Sequence, residues 1–147
     1  MRSGLKMNRW LVLSTVVFLA AAVSFVAAQE HYLEMQKIQE AINNGDFTLF
    51  KDISEDKVSV NFEAPFELKG YFYIERFIQD FNKRFSRFET KKIEWSSKQL
   101  EEKFAIQSLN LILKNRRSEK TVYYKFIFFM TKKNEEWKIY YLKGLKI

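Results

Sequence analysis

Hydrophobic side chains are densest in residues 120–130, where they alternate between the two faces of a predicted strand. One face consists of Val122, Tyr124, Phe126, Phe128 and Met130. The opposite face carries Tyr123, Ile127 and Phe129 and is interrupted only by Lys125. Because a strand that is apolar on both faces must be covered on both, we predict that it lies in the interior of a curved antiparallel sheet folded around a helix.

Helical spacing precedes this strand in three places. Residues 30–44 carry an apolar stripe and are followed by Gly45, which favours the left-handed conformation of a helix C-cap. Asp46 is typical of the N-cap of a second, short helix. The strongest signal is a long helix over residues 74–88, with apolar side chains at helical spacing at Ile74, Phe77, Ile78, Phe81 and Phe85.

Period-two patterns predict the strands. Residues 58–62 form a half-buried strand, with a turn at residues 54–56 before it and a further turn at Gly70 before the long helix. From residue 88 onward the period stays at two, apart from a polar connection at residues 96–103. The apolar positions then change parity, which predicts a β-bulge near Ser108.

The N-terminal segment has the pattern of an export signal. Residues 1–9 are basic, and the run from Trp10 to Ala28 contains no charged side chain. Its end, Val26-Ala27-Ala28, has the small residues that a signal peptidase accepts, so residues 1–28 are predicted to be a signal peptide and residues 29–147 the mature domain in the periplasm or outside the cell. The alternative is an uncleaved inner-membrane anchor with the domain facing outward, because 19 apolar residues come close to the ~20 that span a bilayer.

Composition and charge exclude several kinds of site. The chain of 147 residues is 47% hydrophobic, enough for one domain with a sizeable core. From Gln29 onward, 22 basic and 18 acidic side chains give a mild charge, which does not predict a nucleic-acid partner. There is no cysteine, and His31 is the one histidine, so neither a metal site, a cofactor nor a catalytic residue is predicted.

Charged pairs and clusters in the predicted connections have two readings. Glu101-Glu102 and Glu135-Glu136 are interpreted as solvated loop charges rather than as acid–base pairs. The basic cluster before the central strand either faces an acidic membrane surface or partner, or is a soluble hairpin tip, and the second interpretation is favoured. That cluster consists of Lys114, Arg116, Arg117 and Lys120.

Two short segments resemble a known fold family. Residues 41–50 (AINNGDFTLF) are similar to the opening of NTF2-like domains, and residues 133–139 (KNEEWKI) are similar to their last hairpin. In layout the mature region most resembles small exported NTF2-like proteins of the DUF4783 type. The resemblance implies an α+β cone, in which a strongly curved antiparallel sheet wraps around the long helix behind two N-terminal helices. It also implies a homodimer through the sheet as one arrangement.

The functional prediction follows from the export segment, the layout and the missing catalytic constellation. We expect an exported, non-enzymatic binding or interaction module for a small apolar ligand or a protein partner. If the cone is hollow, its pocket is lined by Trp95, Tyr124, Phe126, Trp137 and Tyr141; if it is filled, these aromatic side chains belong to the core. The alternatives are a small-molecule enzyme that uses Tyr124 with a carboxylate inside the cone, and a membrane-anchored accessory subunit of an envelope assembly.

Overall fold

The computed structural model describes residues 32–147, and Leu33–Ile147 form one compact unit. The predicted signal peptide or anchor therefore lies outside the described residues. Within residues 32–147, no helix has the length and apolar character needed to cross a membrane. The helices are α1 (Met35–Asn44), α2 (Phe50–Ile53) and α3 (Ile74–Phe85), with a 3-10 turn at Phe47–Leu49. The strands are β1 (Ser54–Phe62), β2 (Leu68–Tyr73), β3 (Phe88–Leu100), β4 (Phe104–Asn115), β5 (Thr121–Lys133) and β6 (Glu136–Lys146).

The boundary between the first two helices has the predicted local chemistry. Gly45 is left-handed, with φ at 65°, and closes α1 by donating to carbonyls of its last turn. The Asp46 carboxylate accepts hydrogen bonds from the Thr48 hydroxyl (2.6 Å) and the Thr48 backbone N–H (3.1 Å). Both bonds, the hydroxyl first, hold the pKa of Asp46 below its usual value, with a smaller contribution from Asn82.

The six strands form one curved sheet in the order β2-β1-β6-β5-β4-β3. The predicted α+β cone is confirmed, and β5 lies between β4 and β6 in the interior of the sheet. Four of the strand pairs are antiparallel, but β1 and β6 run parallel, so the sheet is mixed. Because no hairpin joins β1 to β6, connectivity does not impose an antiparallel direction on this pair.

The bulge predicted in β4 is instead in its partner strand. β4 pairs with β5 without interruption, whereas β3 shifts register between Trp95 and Ser97, which face Leu109 and Ser108. The apparent parity change arose because β4 carries apolar residues on both faces, with Ile106 on the opposite face from Leu109. The polar segment at residues 96–103 begins as extended strand, since β3 continues to Leu100.

Three further local predictions need correction. Residues 54–56 belong to β1 rather than to a turn, and Gly70 lies inside β2, opposite Val60. The long helix ends at Phe85 instead of residue 88. In each case strand pairing or packing outweighed the local turn or helix signal.

The core is filled by aromatic rings between α3 and the inner face of the sheet. All five predicted apolar positions of α3 are buried. Phe81 is fully buried, with ring centroids 4.7 Å from those of Phe47 and Phe62. Phe66 stacks on Phe85 at 5.5 Å and meets Tyr124 edge-on at 4.9 Å. The helix is therefore fixed by ring packing from both the N-terminal helices and the sheet.

Candidate functional site

Tyr124 is the buried titratable side chain of the cone interior. It is 0% exposed, and its hydroxyl donates a hydrogen bond to the backbone carbonyl oxygen of Glu63 at 2.8 Å. Burial raises the pKa of this phenol, and the Glu63 carboxylate raises it further, so the group stays neutral at physiological pH. Glu63 itself is exposed. The hydroxyl therefore has a structural partner already, and the buried polar side chains of residues 32–147 include no acid.

The predicted pocket residues do not share one wall. Tyr124 and Phe126 are neighbours in the interior, with ring centroids 5.6 Å apart. Trp95 is half-buried at 6.2 Å from Phe128. Tyr141 lies on the other face of the sheet, where it pairs with Phe129 at 4.9 Å.

Trp95 and Trp137 differ in the contacts that hold them. Trp95 donates its indole N–H to the Gln39 side chain at 3.1 Å, which ties β3 to α1. Trp137 packs partly buried against the core near the start of β6. Ligand binding by these five residues stays a prediction.

The described chain buries three polar side chains, of which all but Ser54 make hydrogen bonds within the framework. They are Ser54, Gln107 and Ser108. Gln107 accepts from the Leu33 N–H at 2.9 Å and donates to the Leu33 carbonyl at 2.6 Å, which fixes the start of the domain on β4. Across residues 32–147, no group of three or more His, Cys, Asp or Glu side chains is arranged to hold a metal ion.

The face of the sheet turned away from α3, here called the outer face, is rich in aromatic and aliphatic side chains. Tyr123 is 53% exposed, and the other members on β4, β5 and β6 are half-buried. They are Phe104, Ile106, Ile112, Ile127, Phe129, Tyr140 and Tyr141. The prediction that both faces of β5 are covered is thus correct only for the inner face of the described chain.

A groove of about 780 Å³ lies at one end of the outer face. It forms where β1 loses regular pairing with β6 between Ser54 and Ser59, and we call it the tyrosine groove. Its aromatic lining consists of Tyr71, Tyr73, Phe104 and Tyr140. Tyr71 and Tyr73 are 66% and 62% exposed, although they are among the largest side chains of the domain.

Charged side chains surround these rings. The ammonium group of Lys57 lies 4.6 Å from the Tyr73 ring centroid and 5.8 Å from that of Tyr71. Lys133 and Glu55 form an ion pair at 2.8 Å. The groove combines flat apolar surfaces with charges of both signs, as binding surfaces do. Sequence reasoning missed it because the predicted turn at Gly70 placed Tyr71 and Tyr73 outside any strand, so their neighbours across the sheet could not be inferred.

Comparison with known proteins places this arrangement in a structural class. No family model matches the sequence, and no curated protein matches it. Solved structures do match: a DUF4783 family protein from Bacteroides uniformis has a TM-score of 0.64 at 12% identity, covering 76% of this chain and 95% of that chain. A DUF4783 family protein from Bacteroides ovatus has a TM-score of 0.62 at 12% identity, covering 76% and 94%.

An NTF2-like protein from Cytophaga hutchinsonii is similar as well, with a TM-score of 0.56 at 13% identity over 76% of this chain and 91% of that chain. The chain therefore has an NTF2-like fold. Among solved structures, DUF4783 family proteins share that fold with it, as the layout of the mature region predicted. At these identities the likeness concerns the fold alone.

Proposed function

We propose that this protein is an exported, non-enzymatic NTF2-like interaction module that binds a protein partner through the outer face of its sheet. The observation that supports this most directly is the contrast between the two faces. The inner face is filled by packed rings, whereas the outer face presents half-buried and exposed aromatic and aliphatic side chains, interrupted on β5 by Lys125. Large exposed apolar patches are typical of sites for other proteins.

A second copy of the chain is the first candidate partner, as the resemblance implied. The outer faces of β1, β6, β5 and β4 span about 19 Å by about 33 Å, or about 600 Å², from standard strand spacing and rise. Stable interfaces bury about 800 Å² per partner, so this face supplies most of the area that one partner needs, and the exposed Tyr71 and Tyr73 of the tyrosine groove add to it. Ile127 lies near its centre, beside Phe129 on the same strand face.

Native mass spectrometry of the protein purified from an exporting host tests the proposal. We expect a dimer that dissociates at least about tenfold more readily when Ile127→Lys places a charge in the contact. Leu100→Lys is the control for an added charge away from the contact, because Leu100 is an exposed aliphatic side chain with inner-face parity on the edge strand β3. A monomer at all concentrations without any retained mass, or equal effects of both variants, would refute this use of the outer face. A retained mass that is lost on denaturation would favour a small ligand instead.

The enzyme alternative has less support from the geometry. It needs a carboxylate beside Tyr124, and that hydroxyl already donates to the Glu63 backbone carbonyl. The side chains of Gln107 and Ser108, which are buried in the described chain, also form hydrogen bonds within the framework. A turnover assay cannot be chosen without a substrate class, and nothing inside the cone defines one. The accessory-subunit alternative depends on residues 1–28, which lie outside the described residues.

A further inference from the structure

Two basic segments far apart in the sequence meet at one end of the domain. Arg87 follows α3, and Arg116 lies in the β4–β5 hairpin; the Arg116 N–H donates to the Arg87 carbonyl at 2.9 Å. In the same region, Glu89 of β3 lies opposite Lys114 of β4 in the strand register. We call this surface the basic end, formed by Lys83, Arg84, Arg87, Lys114, Arg116 and Arg117.

The basic end holds the whole excess of positive charge in the domain. From residue 32 onward there are 22 basic and 17 acidic side chains, and without these six cations 16 basic side chains remain against 17 acidic ones. Within the described chain none of the six forms an ion pair. The nearby Glu89 is paired with Lys91, and its pKa is lowered first by Lys91 and further by Arg116 and Lys114.

A hollow of about 390 Å³ lies on the exposed side of α3 and continues into this surface. Arg76, Asp80, Lys83, Arg84 and Arg87 line it. The Arg84 guanidinium donates to the Phe66 carbonyl at 2.8 Å, and the Arg76 Nε donates to Asp80 at 3.0 Å. The i,i+4 spacing of Asp80 and Arg84 would also suit an ion pair, but Asp80 pairs with Arg76 instead. The guanidinium groups of Arg76 and Arg84 are each held by one hydrogen bond, so both keep further N–H donors for a ligand.

Helix electrostatics explain only part of the cluster. Lys83 and Arg84 lie in the last turn of α3, where cations stabilise the negative end of the helix dipole without any ligand. That argument does not apply to Arg76 near the start of the helix, nor to Arg87 and Arg116 beyond its end. Four cations and one carboxylate around a hollow leave an uncompensated charge of about three.

We propose that this hollow is an anion-binding subsite that takes a phosphate group, and that the hairpin cations extend it to ligands with more than one phosphate. A phosphate monoester carries about −1.5 to −2 at neutral pH and offers several acceptor oxygens, which match held guanidinium groups better than a single carboxylate does. The proposal does not depend on the outer face, because the hollow lies on α3, which packs on the inner side of the sheet.

Calorimetric titration with inorganic pyrophosphate tests the subsite on the protein purified from an exporting host. The double variant K83Q/R87Q should weaken binding by at least about tenfold, since each charge-assisted hydrogen bond is worth a factor of about ten or more. K69Q is the single-charge control on exposed β2, and K69Q/K143Q matches the charge change of the double variant away from the hollow. Both controls should change the affinity by less than about threefold.

A second titration distinguishes the source of the phosphate. Vesicles of phosphatidylcholine with phosphatidylglycerol are compared with the same vesicles lacking phosphatidylglycerol, using the same variants. If the protein binds the anionic vesicles but not pyrophosphate, and K83Q/R87Q weakens vesicle binding, the subsite is supported with a lipid headgroup as its ligand. Binding of neither probe, or equal losses in K83Q/R87Q and K69Q/K143Q, would overturn the proposal.

Discussion

Gly144 on β6 is the position where a single added methyl group should disturb the core most. A Cβ atom there would lie 2.6 Å from the Tyr124 hydroxyl and 2.7 Å from Tyr124 Cε1, and it would also overlap the Phe62 ring. Tyr124 is 0% exposed and Phe62 is 4% exposed, so neither ring has free space into which it can move.

The expected cost of Gly144→Ala has two parts. Overpacking a well-filled core costs about 1–3 kcal/mol. Displacing Tyr124 also weakens its hydrogen bond to the Glu63 carbonyl, which adds about 0.5–1.5 kcal/mol. The free energy of unfolding should therefore fall by about 2–4 kcal/mol.

Urea unfolding followed by tryptophan fluorescence measures this change, and a double-mutant cycle tests its cause. Tyr124→Phe alone should cost about 1 kcal/mol, because it removes the hydroxyl and its bond. If the hydroxyl is the main obstacle, Gly144→Ala should cost less in the Tyr124→Phe background, with a coupling of about 1 kcal/mol. A loss below about 0.5 kcal/mol for Gly144→Ala would show that the described packing around Gly144 is wrong. Strictly additive single changes would instead assign the cost to the Phe62 and Tyr124 rings rather than to the hydroxyl.

Two further predictions concern the core and the helix cap. Phe81→Ala should lower the free energy of unfolding by about 3–5 kcal/mol, because Phe81 is fully buried among rings. Phe104→Ala on the half-buried outer face should lower it clearly less. Equal losses in urea unfolding would contradict the assignment of Phe81 to the core and of Phe104 to the outer face. Asp46→Ala should cost about 0.5–2 kcal/mol at pH 7 by removing the bonds to Thr48. Because the pKa of Asp46 is lowered on folding, its contribution to the free energy of unfolding is present above the ordinary pKa of 3.8 and is lost as the pH falls below it. If the difference in unfolding free energy between Asp46→Ala and the unmodified protein persists undiminished at pH 2, the assignment is refuted.

Features that depend on short-range chemistry could be read from the chain. The stripe of α3 was correct at every apolar position because helical spacing alone places those side chains on one face. Gly45 and Asp46 adopt the expected roles because capping involves residues only a few positions apart. The resemblance of residues 41–50 to the opening of NTF2-like domains rests on the same local signals.

Features that depend on distant partners could not be read in this way. Both faces of β4 and β5 are apolar, so the pattern did not reveal which face meets α3 and misplaced the bulge that actually lies in β3. The exposed tyrosines of β2 form a groove only because β1 holds β2 beside β6, which places them near Tyr140. The spacing of residues along the sequence does not show that these strands are neighbours in the sheet.

The sequence by itself determined the fold class and the core face of each helix, and its lack of cysteine excluded thiol chemistry. Tertiary structure decided which apolar strand face stays open, how β1 joins β6 in parallel, and that Arg87 meets Arg116. The physical reason is the range of the interactions. Helix stripes and caps are set by neighbours within a few residues, whereas sheet order and surface clusters arise from contacts between segments that the chain brings together only on folding.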